Sequence, residues 1–191
     1  MNSHAHLFNN IAFAYQWFFK LQIKSYQKTI RKNLHHLKLH KGDRVLDIGC
    51  GTGAFAYSLE EHGYNVTGVD IAPNMIEKAA DNGVDCRQGD ITAGLDFTDN
   101  SFDLVTAAYV AHGLPSGQRK ELYRETQRLS RNRVIFHDYR RNNNLIISII
   151  EFLEGGHYFT FRKNAAEEMS EVFDEVIRVP LGSWNCWYIC R

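Results

Sequence analysis

The sequence predicts an α/β fold in which a mostly parallel β-sheet carries helices on both faces. Between residues 44 and 137, short apolar segments alternate with helical segments, which is the pattern of βαβ units. The first apolar segment breaks into alternating glycines at 49–53 and continues as a helix. The last two apolar segments are joined only by Pro180-Leu181-Gly182-Ser183. Because this link is too short for a crossover, these two strands are expected to be antiparallel neighbours.

Composition indicates a single domain over residues 1–191, with 44% hydrophobic residues and 13% aromatics. Lys and Arg together number 22, as do Asp and Glu, so the net charge is zero and no nucleic-acid partner is expected. The four cysteines have no C-x-x-C spacing, which favours reduced thiols in a cytoplasmic protein. No leader and no membrane span are recognised, and the sequence leaves the oligomeric state open.

Residues 1–40 form a predicted helical entry segment ahead of the core, which spans 41–191. Apolar residues recur there at helical spacing, which predicts one or two amphipathic helices: Leu7, Ile11, Tyr15, Phe18, Leu21, Ile23, Tyr26 and Ile30. This segment either covers the edge of the core or acts as a lid over a ligand. His36 and His40 have metal-ligand spacing, but no acid or cysteine accompanies them, so no metal site is expected.

The alternating elements of the core follow in order. Strand 44–48 is an apolar run that leads through the glycines to helix 54–62, which Gly63 closes. Strand 65–70 leads to a helix that begins at Pro73 and ends near residue 81, before Asn82-Gly83. Strand 84–89 and a polar loop at 91–101 come next. Strand 102–106, helix 116–129 and strand 132–137 complete the alternation.

The last third of the chain has a different pattern. Residues 145–153 are predicted to be a helix, which Glu154-Gly155-Gly156 breaks. The aromatic stretch 157–162 is expected to be irregular, and Asn164 could cap a short helix over 165–171. The region at about 140–165 is therefore interpreted as an insert. Strands are predicted at 172–179 and 184–190.

The glycine turn has the spacing of a nucleotide-binding loop. Gly49-x-Gly51-x-x-Ala54 satisfies the dinucleotide fingerprint, and Asp70 lies at the distance expected of a ribose-binding acid. This pattern alone allows NAD or FAD. Asp47, two residues before the first glycine, argues against them, because a carboxylate there would repel a pyrophosphate and attract a cationic ligand.

Five motifs in order resemble class I S-adenosylmethionine-dependent methyltransferases. They are Asp-x-Gly-x-Gly-x-Gly at 47–53, Val69-Asp70-Ile71-Ala72, Gln88-Gly89-Asp90-Ile91, the stretch 96–105, and the stretch 107–115. Within that family the chain looks most similar to small-molecule enzymes of the ubiquinone and menaquinone biosynthesis type. The resemblance implies a Rossmann-like, seven-stranded, mostly parallel sheet of order 3-2-1-4-5-7-6 with an antiparallel last strand. In many relatives a Lys-Pro-Gly-Gly turn stands where this chain has 129–133.

The resemblance also implies cofactor contacts, with S-adenosylmethionine as cofactor and S-adenosylhomocysteine as product. Asp47 would lie near the methionine ammonium, and the backbone of Gly49, Cys50, Gly51 and Gly53 would pass under the methionine and ribose. Asp70 would accept hydrogen bonds from both ribose hydroxyls. The remaining implied contacts are Ile71 and Met75 beside the adenine, Asp90 on its amino group, Ile91 over its ring, and the Ala107 backbone at the methionine.

Catalytic candidates are few, because methyl transfer mainly requires alignment of the reacting atoms. His112 is the first candidate for a base, Tyr15 is a candidate lid residue over the methyl group, and the 137–139 segment lies nearby. An aromatic acceptor pocket is expected around 157–159, which favours a small-molecule acceptor. A nicotinamide-dependent oxidoreductase and a non-catalytic S-adenosylmethionine-binding protein remain alternatives.

Overall fold

The computed structural model describes residues 3–140 and 157–191, with side chains described from residue 18 onward. The predicted helix at 145–153 lies outside the described residues. The helices are α1 (Ser3–Leu37), α2 (Ala54–Glu60), α3 (Pro73–Asp81), α4 (Ser116–Leu129) and α5 (His157–Ser170). The strands are β1 (Arg44–Ile48), β2 (Asn65–Asp70), β3 (Cys86–Gln88), β4 (Phe102–Ala108), β5 (Ser130–Tyr139), β6 (Val176–Pro180) and β7 (Asn185–Cys190).

The described strands form one seven-stranded sheet in the order β3-β2-β1-β4-β5-β7-β6. Strands β1 to β5 pair in parallel, and β7 is antiparallel to both β5 and β6. Both the expected strand order and the antiparallel last strand are therefore confirmed. Since the parallel strands all run the same way, their carboxyl ends meet at one edge of the sheet, which is where ligands bind in such folds.

Two apolar layers hold helices against opposite faces of the sheet. On one face, α4 and α5 pack through Tyr123, Phe161 and Met169 against strand residues such as Phe136. On the other face, α1, α2 and α3 pack against strand residues such as Trp187 through a second set of side chains: Ile30, Leu37, Phe55, Leu59 and Ala79. Burial of each large side chain contributes about 1.5–3 kcal/mol. The expectation of helices on both faces is confirmed.

Helix α1 is long and changes direction near its end. It runs from Ser3 to Leu37, with non-helical backbone angles at Asn33 (φ −123°, ψ 16°). The Asn33 side chain donates to the Thr29 carbonyl at 2.8 Å. Arg133 of β5 donates to the His36 carbonyl at 2.7 Å, which satisfies one of the acceptors left open at the helix end. This contact ties the entry segment to the core sheet.

Two predictions for the last third are wrong. The stretch expected to be irregular at 157–162 and the short helix at 165–171 are one helix, α5. Its buried residues recur at helical spacing, so packing on the sheet outweighs the strand preference of its aromatic start: Tyr158, Phe161, Ala165, Glu168 and Met169. The predicted strand 172–179 is shorter and later in the structure, because 171–175 form the turn that leads into β6.

Candidate functional site

Two adjoining clefts open at the carboxyl edge of the sheet, beyond the ends of β1, β2 and β4. The larger has a volume of about 390 Å³ and the narrower about 160 Å³, and Gly49 and Tyr109 line both. The larger cleft is also lined by Ile48, Val69, Asp70, Ile71, Gly89, Asp90, Ile91, Thr92, Val110, Leu114 and Gln118. The narrower cleft is also lined by Gln22, Tyr26, Asp47, Cys50, Gly51, Thr52, Ala54, Phe55 and Ala108.

The glycine turn between β1 and α2 needs glycine at three positions. Gly49, Gly51 and Gly53 have φ of 64°, 54° and 84°, a region that other residues rarely adopt. A Cβ on Gly49 would overlap the Val110 side chain, and one on Gly53 would lie 2.8 Å from Val84 Cγ2. A Cβ on Gly51 would have no protein atom within 4 Å. Gly51 therefore leaves open space on the side of the narrower cleft, as expected for a close ligand approach.

Asp47 is a buried carboxylate in the wall of the narrower cleft. It is 1% exposed, and its Oδ1 accepts from the Thr106 hydroxyl at 2.9 Å. Its Oδ2 has no hydrogen-bond partner in the structure. Burial raises the pKa of Asp47 to about 7, although the Thr106 hydroxyl and the nearby Ala56 N–H oppose the increase; the Asp70 charge adds to it. A cation placed at Oδ2 would supply the missing partner.

Two further acids stand at the ends of β2 and β3. Asp70 accepts from the Gly51 N–H at 2.8 Å and from the Ala72 N–H at 2.9 Å, so it shapes the glycine turn while lining the larger cleft. Asp90 accepts from the Thr92 hydroxyl at 2.7 Å and from its N–H at 2.8 Å. These bonds from Thr92 lower the pKa of Asp90. Both acids are held in place by the chain beside the cleft.

The other predicted cofactor residues divide into two groups. Cys50 lines the narrower cleft, and Ile71 and Ile91 line the larger, where Ile71 is an exposed apolar side chain (62%). Gly53, Met75 and Ala107 line neither cleft. Ala107 is buried in the core, and the next two residues, Ala108 and Tyr109, line the narrower cleft instead.

The structure joins Cys50 to Cys86 by a disulfide, which corrects the expectation that all four cysteines are reduced. Cys86 pairs with Gly68 in the register of β2 and β3. A Cβ on Gly68 would lie 2.8 Å from the Cys50 sulfur and 3.3 Å from the Cys86 sulfur, so the glycine makes room for the pair. Cys186 and Cys190 are free and buried. The two cysteines are separated by 36 residues, a spacing that does not predict a disulfide from the sequence.

Tyr109 is the residue that sequence reasoning missed at the junction of the clefts. It follows β4 with a positive φ of 57°, a strained conformation for a bulky residue. Its hydroxyl accepts from Asn185 Nδ2 at 3.1 Å, and its ring lies 5.2 Å from that of Tyr139. Trp184 stacks on Tyr109 at 6.4 Å. These aromatic side chains form one wall beside the clefts.

An aromatic pocket was predicted around 157–159, where Tyr158 is 2% exposed and lines neither cleft. Its ring lies 4.9 Å from that of Tyr139, so it extends the aromatic wall, while Phe159 is 43% exposed. Tyr109, Tyr139, Tyr158 and Trp184 are called the aromatic wall below. Trp184 and Tyr109 lie far apart in sequence, and only the insertion of β7 beside β5 brings them together.

His112 is held by a buried carboxylate. Its Nδ1 lies 2.8 Å from Asp138 Oδ1, and its backbone N–H donates to Asp138 Oδ2 at 3.3 Å. Asp138 is completely buried. This arrangement orients the imidazole, whose ring lies 4.8 Å from Tyr139 of the aromatic wall. His112 lines neither cleft, so it stands behind the wall rather than at the junction of the clefts.

His137, in the segment that was the second candidate for a base, is a core residue. It is 2% exposed, and its Nδ1 accepts from the Trp187 indole N–H at 3.2 Å. Burial lowers the pKa of His137 to about 4, although the Asp138 charge opposes this. The ring therefore stays neutral at physiological pH and packs under Tyr26 and Tyr109.

Helix α1 forms part of the narrower cleft through Gln22 and Tyr26. The Tyr26 ring packs edge-on against Phe55 at 5.0 Å and against His137 at 5.5 Å. Burial raises the pKa of Tyr26, with smaller contributions from nearby charges that include Asp47. The side chain of Tyr15, the candidate lid residue, lies outside the described part of the chain.

Within the described ranges, no group of three or more His, Cys, Asp or Glu side chains is placed to hold a metal ion. No helix in the same ranges has the length and hydrophobicity needed to cross a membrane.

The comparisons with known proteins agree with one another on the kind of domain. A family model described as a methyltransferase domain matches residues 45–133, which include the glycine turn and the ends of β1, β2 and β4. A solved structure of an S-adenosylmethionine-dependent methyltransferase from Thermotoga maritima superposes with a TM-score of 0.67 at 18% identity. That match covers 97% of this chain and 98% of the other.

Curated relatives match over part of the chain. Demethylmenaquinone methyltransferase of Staphylococcus haemolyticus is 33% identical over 103 residues, which cover 49% of this chain and 41% of the relative. The 18S rRNA (guanine-N(7))-methyltransferase of Bos taurus is 35% identical over 78 residues, which cover 40% of this chain and 28% of the relative. The matched region thus spans less than half the length of these relatives.

Proposed function

We propose that the protein is an S-adenosylmethionine-dependent methyltransferase, because residues 45–133 match a methyltransferase-domain family model and the sheet has the strand order that the resemblance to class I enzymes implies. The observation that carries the proposal is Asp47 Oδ2, a buried carboxylate oxygen with no partner in a cleft bordered by the glycine turn. A buried acceptor without a partner is costly, and an ammonium group would satisfy it. The pyrophosphate of NAD would instead be repelled there.

The residues present fit the rest of the cofactor. Asp70 and Asp90 border the larger cleft with accepting oxygens, and exposed Ile71 offers an apolar surface to an aromatic base. Gly51 leaves open space beside Asp70. Tyr109 stands where the two clefts join, so a ligand that occupies both clefts would pass this ring.

When bound, the cofactor supplies an electrophilic methyl group on a sulfonium. The residues of this chain would bind and align: Asp47 holds the ammonium, Asp70 holds the ribose hydroxyls, and the aromatic wall excludes water. Positioning of this kind supplies roughly 7–11 kcal/mol of the barrier. A base is needed only if the acceptor must lose a proton, and His112, oriented by Asp138, is the candidate for that role.

The cofactor is tested by calorimetric titration of the protein with S-adenosylmethionine, S-adenosylhomocysteine and NAD. We expect micromolar binding of the first two and none of NAD, because Asp47 selects for a positive charge. Micromolar NAD binding with no response to the sulfur compounds would contradict the proposal and favour an oxidoreductase.

Replacement of Asp70 by Ala tests the ribose contact. We expect the affinity for S-adenosylhomocysteine to fall about 10- to 100-fold, since hydrogen bonds to a charged acceptor contribute roughly 1.5–3 kcal/mol each. The matched control is Asp174→Ala, an exposed acid in the turn before β6. If both variants bind S-adenosylhomocysteine with equal affinity, Asp70 does not contact the cofactor.

The acceptor is proposed to be a small molecule. The aromatic wall offers flat apolar rings beside the clefts, which suits a ring-bearing metabolite, and the chain carries no net positive charge for a nucleic acid. A methyl-transfer assay against quinols, other ring-bearing metabolites and ribosomal RNA tests this. Transfer to RNA alone would contradict the small-molecule acceptor. Cofactor binding without transfer to any of them would favour the non-catalytic alternative.

A further inference from the structure

A third cavity, of about 420 Å³, lies beyond the last strands and shares no lining residue with the two clefts. Its walls come from the end of β5, the middle of α5, and strands β6 and β7. Of the described residues that line it, four are cations and none is an acid: Arg140, Arg162, Lys163 and Arg178. In a chain with equal numbers of acids and bases, this is a local concentration of positive charge.

These four cations, called the basic cavity residues below, have no carboxylate partner within residues 18–140 and 157–191. Elsewhere arginines pair with acids, as Arg128 does with Glu125 and Asp99. Among the described residues, none of the four forms an ion pair. The Arg162 guanidinium lies 5.0 Å from the centre of the Tyr158 ring, and its buried Nε has no hydrogen-bond partner. Arg140 donates from Nη1 to the Gly182 carbonyl at 3.3 Å, which leaves its charge without a counter-ion among the described residues.

The floor of the basic cavity is buried and largely apolar. It includes Cys186 and Tyr188, which are 2% and 3% exposed. Burial raises the pKa of Cys186 to about 11, and the Arg140 and Arg178 charges act against this rise, so both guanidinium groups act on the floor. A low-dielectric floor strengthens the attraction between these cations and an anion.

The aromatic wall connects the basic cavity to the proposed methyl-transfer site. Arg162 lies over Tyr158, the Tyr158 ring is 4.9 Å from that of Tyr139, and Tyr139 is 5.2 Å from Tyr109 at the junction of the clefts. Tyr158 is 2% exposed, so this series of ring contacts joins the junction of the clefts to the cations through packed side chains.

We propose that the basic cavity binds the phosphate or diphosphate group of a phosphorylated acceptor. Four cations without acids suit a multiply charged anion better than a single carboxylate, and guanidinium forks match phosphate oxygens in pairs. The identification of this ligand as the methyl acceptor rests on the proposed function. The binding of a phosphate group by the cavity is independent of the proposed function.

The test is a calorimetric titration of the full chain with pyrophosphate at fixed ionic strength. We expect binding that weakens at least tenfold in Arg178→Gln and in Arg162→Gln. The control is Arg124→Gln, which removes an exposed charge from α4 and should leave binding unchanged. No pyrophosphate binding by the native chain, or equal losses in all three variants, would overturn the proposal. Equally tight binding of citrate would overturn the assignment to phosphate.

A second measurement separates this inference from the proposed function. Arg178→Gln should bind S-adenosylhomocysteine as tightly as the native chain, because Arg178 lines neither cleft. Pyrophosphate binding without S-adenosylhomocysteine binding would contradict the proposed function and leave the anion site standing. In the transfer assay, we expect Arg178→Gln to raise the KM for a phosphorylated acceptor at least tenfold with little change in kcat. An unchanged KM would contradict the link to the acceptor.

Discussion

At the scale of single residues, Asp47 combines burial, an unpartnered oxygen and a pKa raised to about 7. Only its ionised form attracts a cationic ligand. We therefore expect the affinity for S-adenosylhomocysteine to rise with pH and to be about tenfold weaker at pH 6 than at pH 8, since one pH unit below a pKa leaves roughly a tenth of the group ionised. Calorimetry across this range provides the measurement.

The same pKa has a consequence for stability of the ligand-free protein. Because the folded pKa of Asp47 lies above the ordinary aspartate pKa of 3.8, this carboxyl stabilises the fold fully below pH 3.8. Its contribution is lost as the pH rises through about 7. In Asp47→Asn, both the pH dependence of affinity and this loss of stability should disappear. A pH dependence of affinity that survives in the variant would contradict the assignment.

Gly51 offers a second prediction at this scale. Gly51→Ala places a Cβ toward the narrower cleft and should weaken S-adenosylhomocysteine binding about tenfold or more, in addition to a backbone cost of roughly 1–2 kcal/mol in stability. Gly83→Ala is the matched control, because Gly83 also has a positive φ (81°) and open space, but lines neither cleft. Calorimetry and urea unfolding of both variants separate the two effects. Equal losses of affinity would show that backbone strain alone is responsible.

Sequence reasoning at this scale placed residues at the correct edge of the sheet where the signal is local. Asp47 lies near the end of β1, Asp70 ends β2 and the glycines follow β1, and a strand end in a parallel sheet fixes which edge the neighbouring residues occupy. Tyr109 and Trp184 were missed, because their meeting depends on how β7 pairs with β5. The Cys50–Cys86 pair was missed for the same reason, since it depends on the register of β2 and β3.

At the scale of elements, α4 and α5 are joined by a buried bidentate ion pair. Arg119 is completely buried and donates from Nε and Nη2 to the two carboxylate oxygens of Glu168, at 2.6 and 2.5 Å. Removing one partner of such a pair leaves an uncompensated buried charge, so Arg119→Met should lower the free energy of unfolding by about 3–5 kcal/mol. Urea denaturation measures the loss.

Two comparisons make this prediction specific. The double variant Arg119→Met, Glu168→Leu should be more stable than the single variant, because no lone charge remains. Arg124 and Glu121 form an exposed pair on the same helix, and Arg124→Met should cost less than about 1 kcal/mol. A loss at Arg119 as small as that at Arg124 would contradict the importance of burial.

Helix α5 also shows where element prediction fails. Its start, His-Tyr-Phe-Thr-Phe, contains residues that favour strands, and Asn164 in its middle resembles a cap. The buried positions Phe161, Ala165 and Met169 nevertheless fall on one helical face against the sheet. The helical spacing of buried residues continues through 162–165, where the sequence predicted a change from irregular structure to helix. Packing of these residues on the sheet stabilises one continuous helix.

At the scale of the whole molecule, α1 closes one side of the narrower cleft through Gln22 and Tyr26. A ligand in that cleft binds only the closed arrangement, so it should suppress local opening of the helix. We expect S-adenosylhomocysteine to slow tryptic cleavage at the exposed residues Lys20, Lys24 and Lys28, measured by mass spectrometry.

Arg131, at the start of β5, provides an internal control site, and an equal concentration of NAD provides a control ligand. Cleavage at Arg131 should change little, because it lies far from the carboxyl edge. Equal protection by NAD, or no protection on α1, would contradict a role of this helix in closing the cleft.

The overall architecture was the most predictable level. The alternation of strands and helices indicated a parallel sheet, and the four-residue link after β6 indicated an antiparallel pair. The position of β7 between β5 and β6 came from the resemblance to methyltransferases, since periodicity contains no information about which strands become neighbours. The strand order then determined which strand ends lie next to one another around the clefts.

The placement of β7 also constrains the order in which the strands of the sheet can pair. Strand β6 precedes β7 in the chain but pairs only with β7, so neither β5 nor β6 can complete its pairing until β7 is in place. The nascent chain must avoid pairing β5 directly with β6, which would shut β7 out of the sheet. The last step in closing this sheet is therefore the entry of β7 between two strands that precede it in the chain.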